Sequence, residues 1–183
     1  MRDAIEEKNK IGPKTHIITG EGKGKTTAAL GMGMRAAGSG MRVVMIQFLK
    51  DTKSGELVTA EAIENFLILR FQKGCKGFMW QMNEEQLCEL AKETETAFCH
   101  AETLMKTHGC DMLILDEVFA CLSAGLVTEE RLLGLVSRKT AELVLTGRDA
   151  PTALIDVADY VSDIGIVKHP FQEGLPQRRG IEY

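Results

Sequence analysis

Short apolar runs recur along this chain with no polar residue interrupting them: Ile17-Ile18, Val43-Val44-Met45-Ile46, Met112-Leu113-Ile114-Leu115 and Leu143-Val144-Leu145. A strand with one wet face alternates polar and apolar side chains. A strand apolar throughout is covered on both faces, the signature of a parallel sheet packed between helices. Segments of helical character separate the runs, so the chain reads as strand, helix, strand in repeated order. The pattern predicts strands at 16–19, 42–48, 66–71, 112–115, 143–145 and 160–167. It predicts helices from Lys25 to Ala37, from Asn83 to a stop at Gly109, from a Thr128 cap, and a short one from Pro151. Gly38 is the expected C-terminal cap of the first helix. Leu87, Leu90, Ala91, Phe98, Ala101 and Met105 keep the spacing of one buried helical face. With no internal repeat, low-complexity tract or linker, the expectation is one α/β domain over residues 1–183, with 1–13 a short N-terminal extension.

Composition narrows the function. The chain has 183 residues, 22 Lys+Arg against 26 Asp+Glu and so a net charge of −4, which disfavours a protein that coats nucleic acid or an anionic membrane. Five cysteines (Cys75, Cys88, Cys99, Cys110, Cys121) include no C-x-x-C pair, so buried free thiols in a reducing compartment are expected in place of a zinc ribbon or disulfide framework. The first residues form no signal sequence and no apolar run reaches membrane-spanning length, so a cytoplasmic location is expected. Three of the four histidines, His16, His100 and His108, fall in a strand or on a helix, where packing or surface roles are expected. His169 stands apart, next to Lys168 and Pro170 near a basic tail with Arg178 and Arg179.

In an open parallel sheet the ligand lies beyond the carboxyl ends of the strands. That rule gathers 20–27, 47–50, Asp116-Glu117 and 146–148. The first segment, Gly20-Glu21-Gly22-Lys23-Gly24-Lys25-Thr26-Thr27, follows a strand and opens a helix. Its glycines let backbone N–H groups converge on phosphate oxygens at a positive helix end, Lys25 reaches outer phosphates and the Thr26 hydroxyl ligates Mg²⁺. The spacing is G-x-x-x-G-K-T, one residue shorter than the usual phosphate loop. Asp116 and Glu117 close an apolar strand, as metal-holding carboxylates do in such proteins, and the sequence leaves open which of them contacts Mg²⁺ (or Mn²⁺). Phe78 and Trp80, with Met79 between them, sit in a loop preceded by Gly74 and Gly77, a context suited to a flat apolar ligand.

Taken in order, TGEGKGKTTAA, IQFLK, KGFMW, LILDE, VLTGR and the closing VKHPF and RRGIEY make the chain from about Lys14 to Tyr183 similar to the ATP:corrinoid adenosyltransferases of cobalamin biosynthesis and salvage. The resemblance implies a RecA-like P-loop fold, a homodimer, and transfer of the 5′-deoxyadenosyl group of ATP to the cobalt of a corrinoid, with triphosphate left behind. It implies that residues 20–27, together with Arg35, Gln47 and Arg148, bind the nucleotide, which lies opposite to its usual direction. Lys25 and Glu117 would be catalytic, while Thr26, Asp116 and Glu117 serve the metal. Phe78 and Trp80 would line the corrinoid pocket and exclude the lower axial ligand, and an electron donor such as a flavoprotein would supply Co(I). Glu21 stands where the family more often has Asn or Asp, and Asp51 where it often has Gly. The main alternative is a P-loop ATPase or kinase acting on the γ-phosphate, and a further one is a carrier that binds without turnover.

Overall fold

The computed structural model describes residues 12–50, 54–72, 81–170, 174 and 178–181. In chain order the elements are β1 (Thr15–Thr19), α1 (Lys25–Gly38), β2 (Val43–Gln47), α2 (Gly55–Glu61), β3 (Phe66–Leu69), α3 (Glu84–Thr107), β4 (Met112–Asp116), α4 (Val118–Ser123), α5 (Glu129–Ser137), β5 (Glu142–Thr146), α6 (Thr152–Val157) and β6 (Tyr160–Asp163). Six strands form one sheet in the order β3-β2-β4-β5-β1-β6, and every pairing is parallel. The two strands that carry the polar motifs, β1 and β4, are separated by β5 alone. This is an α/β P-loop fold.

The uninterrupted apolar runs have the cause expected of them. Successive side chains on a strand point to opposite faces, and both faces of the central strands are covered. Met112 and Ile114 pack with Ala29, Ala36 and Ala37 of α1. Leu113 and Leu115 pack on the other side with Ala97, Phe98, Ala101 and Met105 of α3 and with residues of α4 and α5. Full burial of each large side chain contributes about 1.5–3 kcal/mol, so β2 and β4, each buried at all five positions, are the backbone of the core.

Several boundaries differ from the sequence reading. The last strand stops at Asp163 and is exposed at all four positions, because β6 is a sheet edge paired with β1 alone. The left-handed turn after α1 is made by Gly40, not Gly38, and α3 ends on His108 in the left-handed region, with Gly109 donating back to the Leu104 carbonyl. Leu87 and Ala91 face solvent: the first turns of α3 are exposed, and burial begins at Leu90. Asn83 does cap α3, in a reciprocal pair with Gln86, and Thr128 caps α5. The thiols divide: Cys110 and Cys121 are buried, where burial pushes them up to about 11 and about 12, while Cys88 and Cys99 are on the open side of α3. Cys75 falls outside the described residues. His16 pairs with Glu142 at 2.9 Å and stacks on Tyr160, a packing role across three strands. No described helix is long and apolar enough to cross a membrane.

Candidate active site

The loop between β1 and α1 is shaped by two glycines with different reasons to be glycine. Gly20 has φ +97, and a Cβ there would fall 2.0 Å from the Asp163 carboxylate, so both backbone angle and space require it. Gly24, at φ +123 and with open space around it, is required by its angle alone. Between them the Gly22 N–H donates to the Ile164 carbonyl at 2.6 Å, which braces the loop on the chain just past β6. The α1 helix opens directly from Gly24 with no acidic residue of its own in its first turn, so its positive end is suited to an anion.

Lys25 curls back into this loop and donates to the carbonyls of Gly20 and Gly22. It is nearly buried, and burial lowers its pKa, opposed by Glu117, Glu21 and Asp116. Lys23 in the loop and Thr27 in the first turn of α1 are exposed. Glu21 reaches across to Arg148, 3.2 Å away at the end of β5, in an exposed ion pair.

Asp116 is the hub. Its carboxylate is fully buried and accepts from Thr146 Oγ1 at 2.7 Å, Thr26 Oγ1 at 3.0 and 3.2 Å, Gln47 Nε2 at 3.2 Å and Lys50 Nζ at 2.6 Å. Parallel register places Gln47 of β2 opposite Asp116, which is why the two side chains meet. Gln47 is held in turn by Arg70 Nε at 2.8 Å, and Arg70 Nη2 donates to Ser54 Oγ at 2.7 Å. Gln47, expected among the nucleotide ligands, thus orients the carboxylate. Thr146 also accepts the Glu117 N–H at 2.9 Å, which ties β4 to β5 at the site.

Glu117 caps α4 from the left-handed region, at φ 65. Burial raises its pKa, and neighbouring Asp116 raises it further, against Lys50, Lys25 and Arg148. Leu49 and Asp149 share the left-handed backbone, at φ 55 and 53. Three non-glycine residues in this region thus follow the three central strands at the site edge. Each costs about 1–3 kcal/mol, the kind of strain that collects at functional sites.

Of the residues expected at the site, the structure gathers Gly20 to Thr26, Gln47, Asp116, Glu117 and Arg148. Arg35 is not brought there by this chain: it lies exposed in the last turn of α1, ten residues and about 15 Å of helical rise beyond Lys25. Phe78 and Trp80 lie outside the described residues. Sequence reasoning passed over Lys50, Thr146 and Arg70 as site residues. The first two stood in strand-end segments already singled out, and Arg70 directly follows β3.

The donor set suits a hard cation. Thr26, Asp116 and Glu117 offer oxygen atoms, and the raised pKa of Glu117 marks a carboxylate whose charge a cation would relieve. Among the described residues no group of three or more His, Cys, Asp and Glu side chains is arranged to hold a metal. Mg²⁺ is commonly held by one or two carboxylates, with its shell completed by phosphate oxygens and water.

Residues 13–183 match the profile of a family described as "ATP:corrinoid adenosyltransferase BtuR/CobO/CobP". The chain belongs to the ATP:corrinoid adenosyltransferase family. Relatives named corrinoid adenosyltransferase are 32% identical to it in Escherichia coli K12 and in Salmonella typhimurium, over 91% of this chain and 84% of theirs. The one in Pseudomonas aeruginosa is also 32% identical, over 91% of this chain and 82% of its own. Among solved structures, a KaiC-like protein from Pyrococcus horikoshii overlaps 85% of this chain and 74% of its own, with a TM-score of 0.49 and 16% identity. The chain is therefore an enzyme of the adenosyltransferase type, and the γ-phosphate alternative is not favoured.

Proposed function

We propose that this chain, working as a single domain over residues 1–183, carries the 5′-deoxyadenosyl group of ATP to the Co(I) of a corrinoid and releases inorganic triphosphate. The observation that carries the residue roles is the convergence of Lys25, Thr26, Asp116 and Glu117 beyond the carboxyl ends of β1 and β4, in a chain of this family. The electron pair of Co(I) forms the bond to C5′ of the ribose. The C5′–O bond breaks, and its pair leaves on the triphosphate oxygen. Such a nucleophile needs no protein base, so the protein's work is position and charge.

Loop amides between Gly20 and Thr27, other than that of Gly22, which is committed to Ile164, hold the triphosphate together with the Lys25 ammonium. Lys25 is already steered inward by two loop carbonyls, so little side-chain freedom remains to be lost. Thr26 and Asp116 hold the metal, with Glu117 beside them acting on the ion or its water shell. Bound there, Mg²⁺ or Mn²⁺ neutralises charge on the leaving triphosphate. Thr146, Gln47 and Arg70 keep the Asp116 carboxylate in one orientation. Arg148, paired with Glu21 across the loop, is placed to meet phosphate when that exposed pair opens. Phe78 and Trp80 would exclude the lower axial ligand so that a biological reductant, such as a flavoprotein, can reach Co(I). A homodimer in the cytoplasm is part of the same reading.

The test is product analysis. Protein, MgATP and chemically reduced cobalamin should yield adenosylcobalamin and triphosphate in equal amounts. ADP in place of triphosphate would reassign the site to γ-phosphate chemistry.

A further inference from the structure

Lys50 stands between the two oxygens that the metal reading assigns to the ion, 2.6 Å from Asp116 Oδ2 and 3.2 Å from Thr26 Oγ1. We propose that Lys50 is a tethered cation that competes with the metal for this position and must swing out when the ion enters. The inference rests on the metal role proposed for Thr26 and Asp116.

The argument is one of capacity. A carboxylate offers about four lone-pair sites. On Asp116 four donors fill them: Thr26, Thr146, Gln47 and Lys50. An ion can reach Asp116, directly or through a bound water, only by displacing one of these. Thr146 and Gln47 are fully buried, and Thr26 is itself a ligand in the metal reading. Lys50 is the donor with a way out: its side chain is 27% exposed and its stem is long and flexible. Charge leads to the same answer, because a buried carboxylate needs a positive partner and either cation serves. The backbone supports a dedicated placement, since the chain turns through the left-handed region at Leu49 immediately before Lys50. Released from Asp116, the ammonium is free to pair with phosphate.

The test uses the full chain without nucleotide and reads free Mn²⁺ by electron paramagnetic resonance. Lys50→Met should bind Mn²⁺ at a several-fold lower concentration than the natural chain, while Lys50→Arg, which keeps the charge, should stay near it. Amine labelling of the natural chain, read by mass spectrometry at Lys50, should rise as Mn²⁺ is added, and it decides the matter if Lys50→Met does not fold. Equal or weaker Mn²⁺ binding by a folded Lys50→Met, or Lys50 labelling that does not respond to Mn²⁺, overturns the proposal. Asp116→Asn separates the two levels. If it abolishes Mn²⁺ binding while Lys50→Met changes nothing, only the exchange is wrong. If Asp116→Asn binds Mn²⁺ like the natural chain, the metal site itself is wrong.

Discussion

Two charged clusters in this molecule use similar residue types to opposite ends. Between α3 and α5, Arg131 donates to Glu102 through Nε at 3.0 Å and Nη2 at 2.9 Å, pairs with Glu95 through Nη1, and lies 4.6 Å over the Phe98 ring. Both carboxylates are held below their ordinary range by these bonds, and Arg131 is held above its own. At the carboxyl ends of the inner strands, burial instead pushes Glu117 upward and Lys25 downward. The first cluster makes charge comfortable and stabilises the fold. The second holds charge at a cost, and such arrangements mark sites of chemistry.

The sharpest break in that contrast should come from Asp116→Asn. If the buried hub serves catalysis, turnover should fall on the order of 10²–10³-fold, the scale of losing a preorganised electrostatic group, and the half-saturating Mg²⁺ concentration should rise. A steady-state rate series against Mg²⁺ checks this, and an unchanged metal dependence would reject the role given to Asp116. Lys25→Ala comes next: nucleotide affinity should weaken by about 1.5–3 kcal/mol, the value of a hydrogen bond to a charged group, as read by calorimetry.

Arg131→Met tests the other cluster. Its two partly exposed pairs and its ring contact together contribute about 1–2 kcal/mol, so unfolding in urea should shift while the transfer rate stays put. A rate that falls with stability intact would move Arg131 into the site. Acid should show the same effect. Glu95 and Glu102 have folded pKa values below 4.5, so their contribution is present above pH 4.5 and fades as pH falls through the folded values. The natural chain should therefore lose stability on acidification faster than Arg131→Met.

Glu117→Gln should show the smallest change, with the opposite sign. A carboxyl whose folded pKa is raised above 4.5 destabilises the fold once ionised, so the amide should stabilise the protein slightly at neutral pH. That gain should vanish as the pH drops below 4.5. Melting curves at neutral and acid pH check it.

Much of this is legible in the sequence. The runs at 112–115 and 143–145 point to buried parallel strands because a strand apolar throughout and flanked by helical segments is covered on both faces. Gly-Lys-Thr after the first strand announced an anion site, because few other arrangements need those residue types together. Helices α2 and α4 escaped notice because seven and six residues are too short to display a period. Leu87 and Ala91 misled because periodicity tells which side of a helix is apolar, not where along its length packing begins. The roles of Lys50, Gln47 and Arg70 depend on parallel register, which brings residues 23 to 69 positions apart into contact. Arg35 meets the same limit: belonging to the helix that starts at the loop does not by itself bring a residue of this chain near it.

The seam where Gly20 and Gly22 press on Asp163, Ile164 and Gly165 has a mechanical consequence. Asp163 ends β6 and Ile164 directly follows it, so the anion cradle and the edge strand are fastened to each other at a joint with no room for a side chain. Whatever shifts the backbone at Ile164 must drag the cradle along or break the Gly22–Ile164 bond.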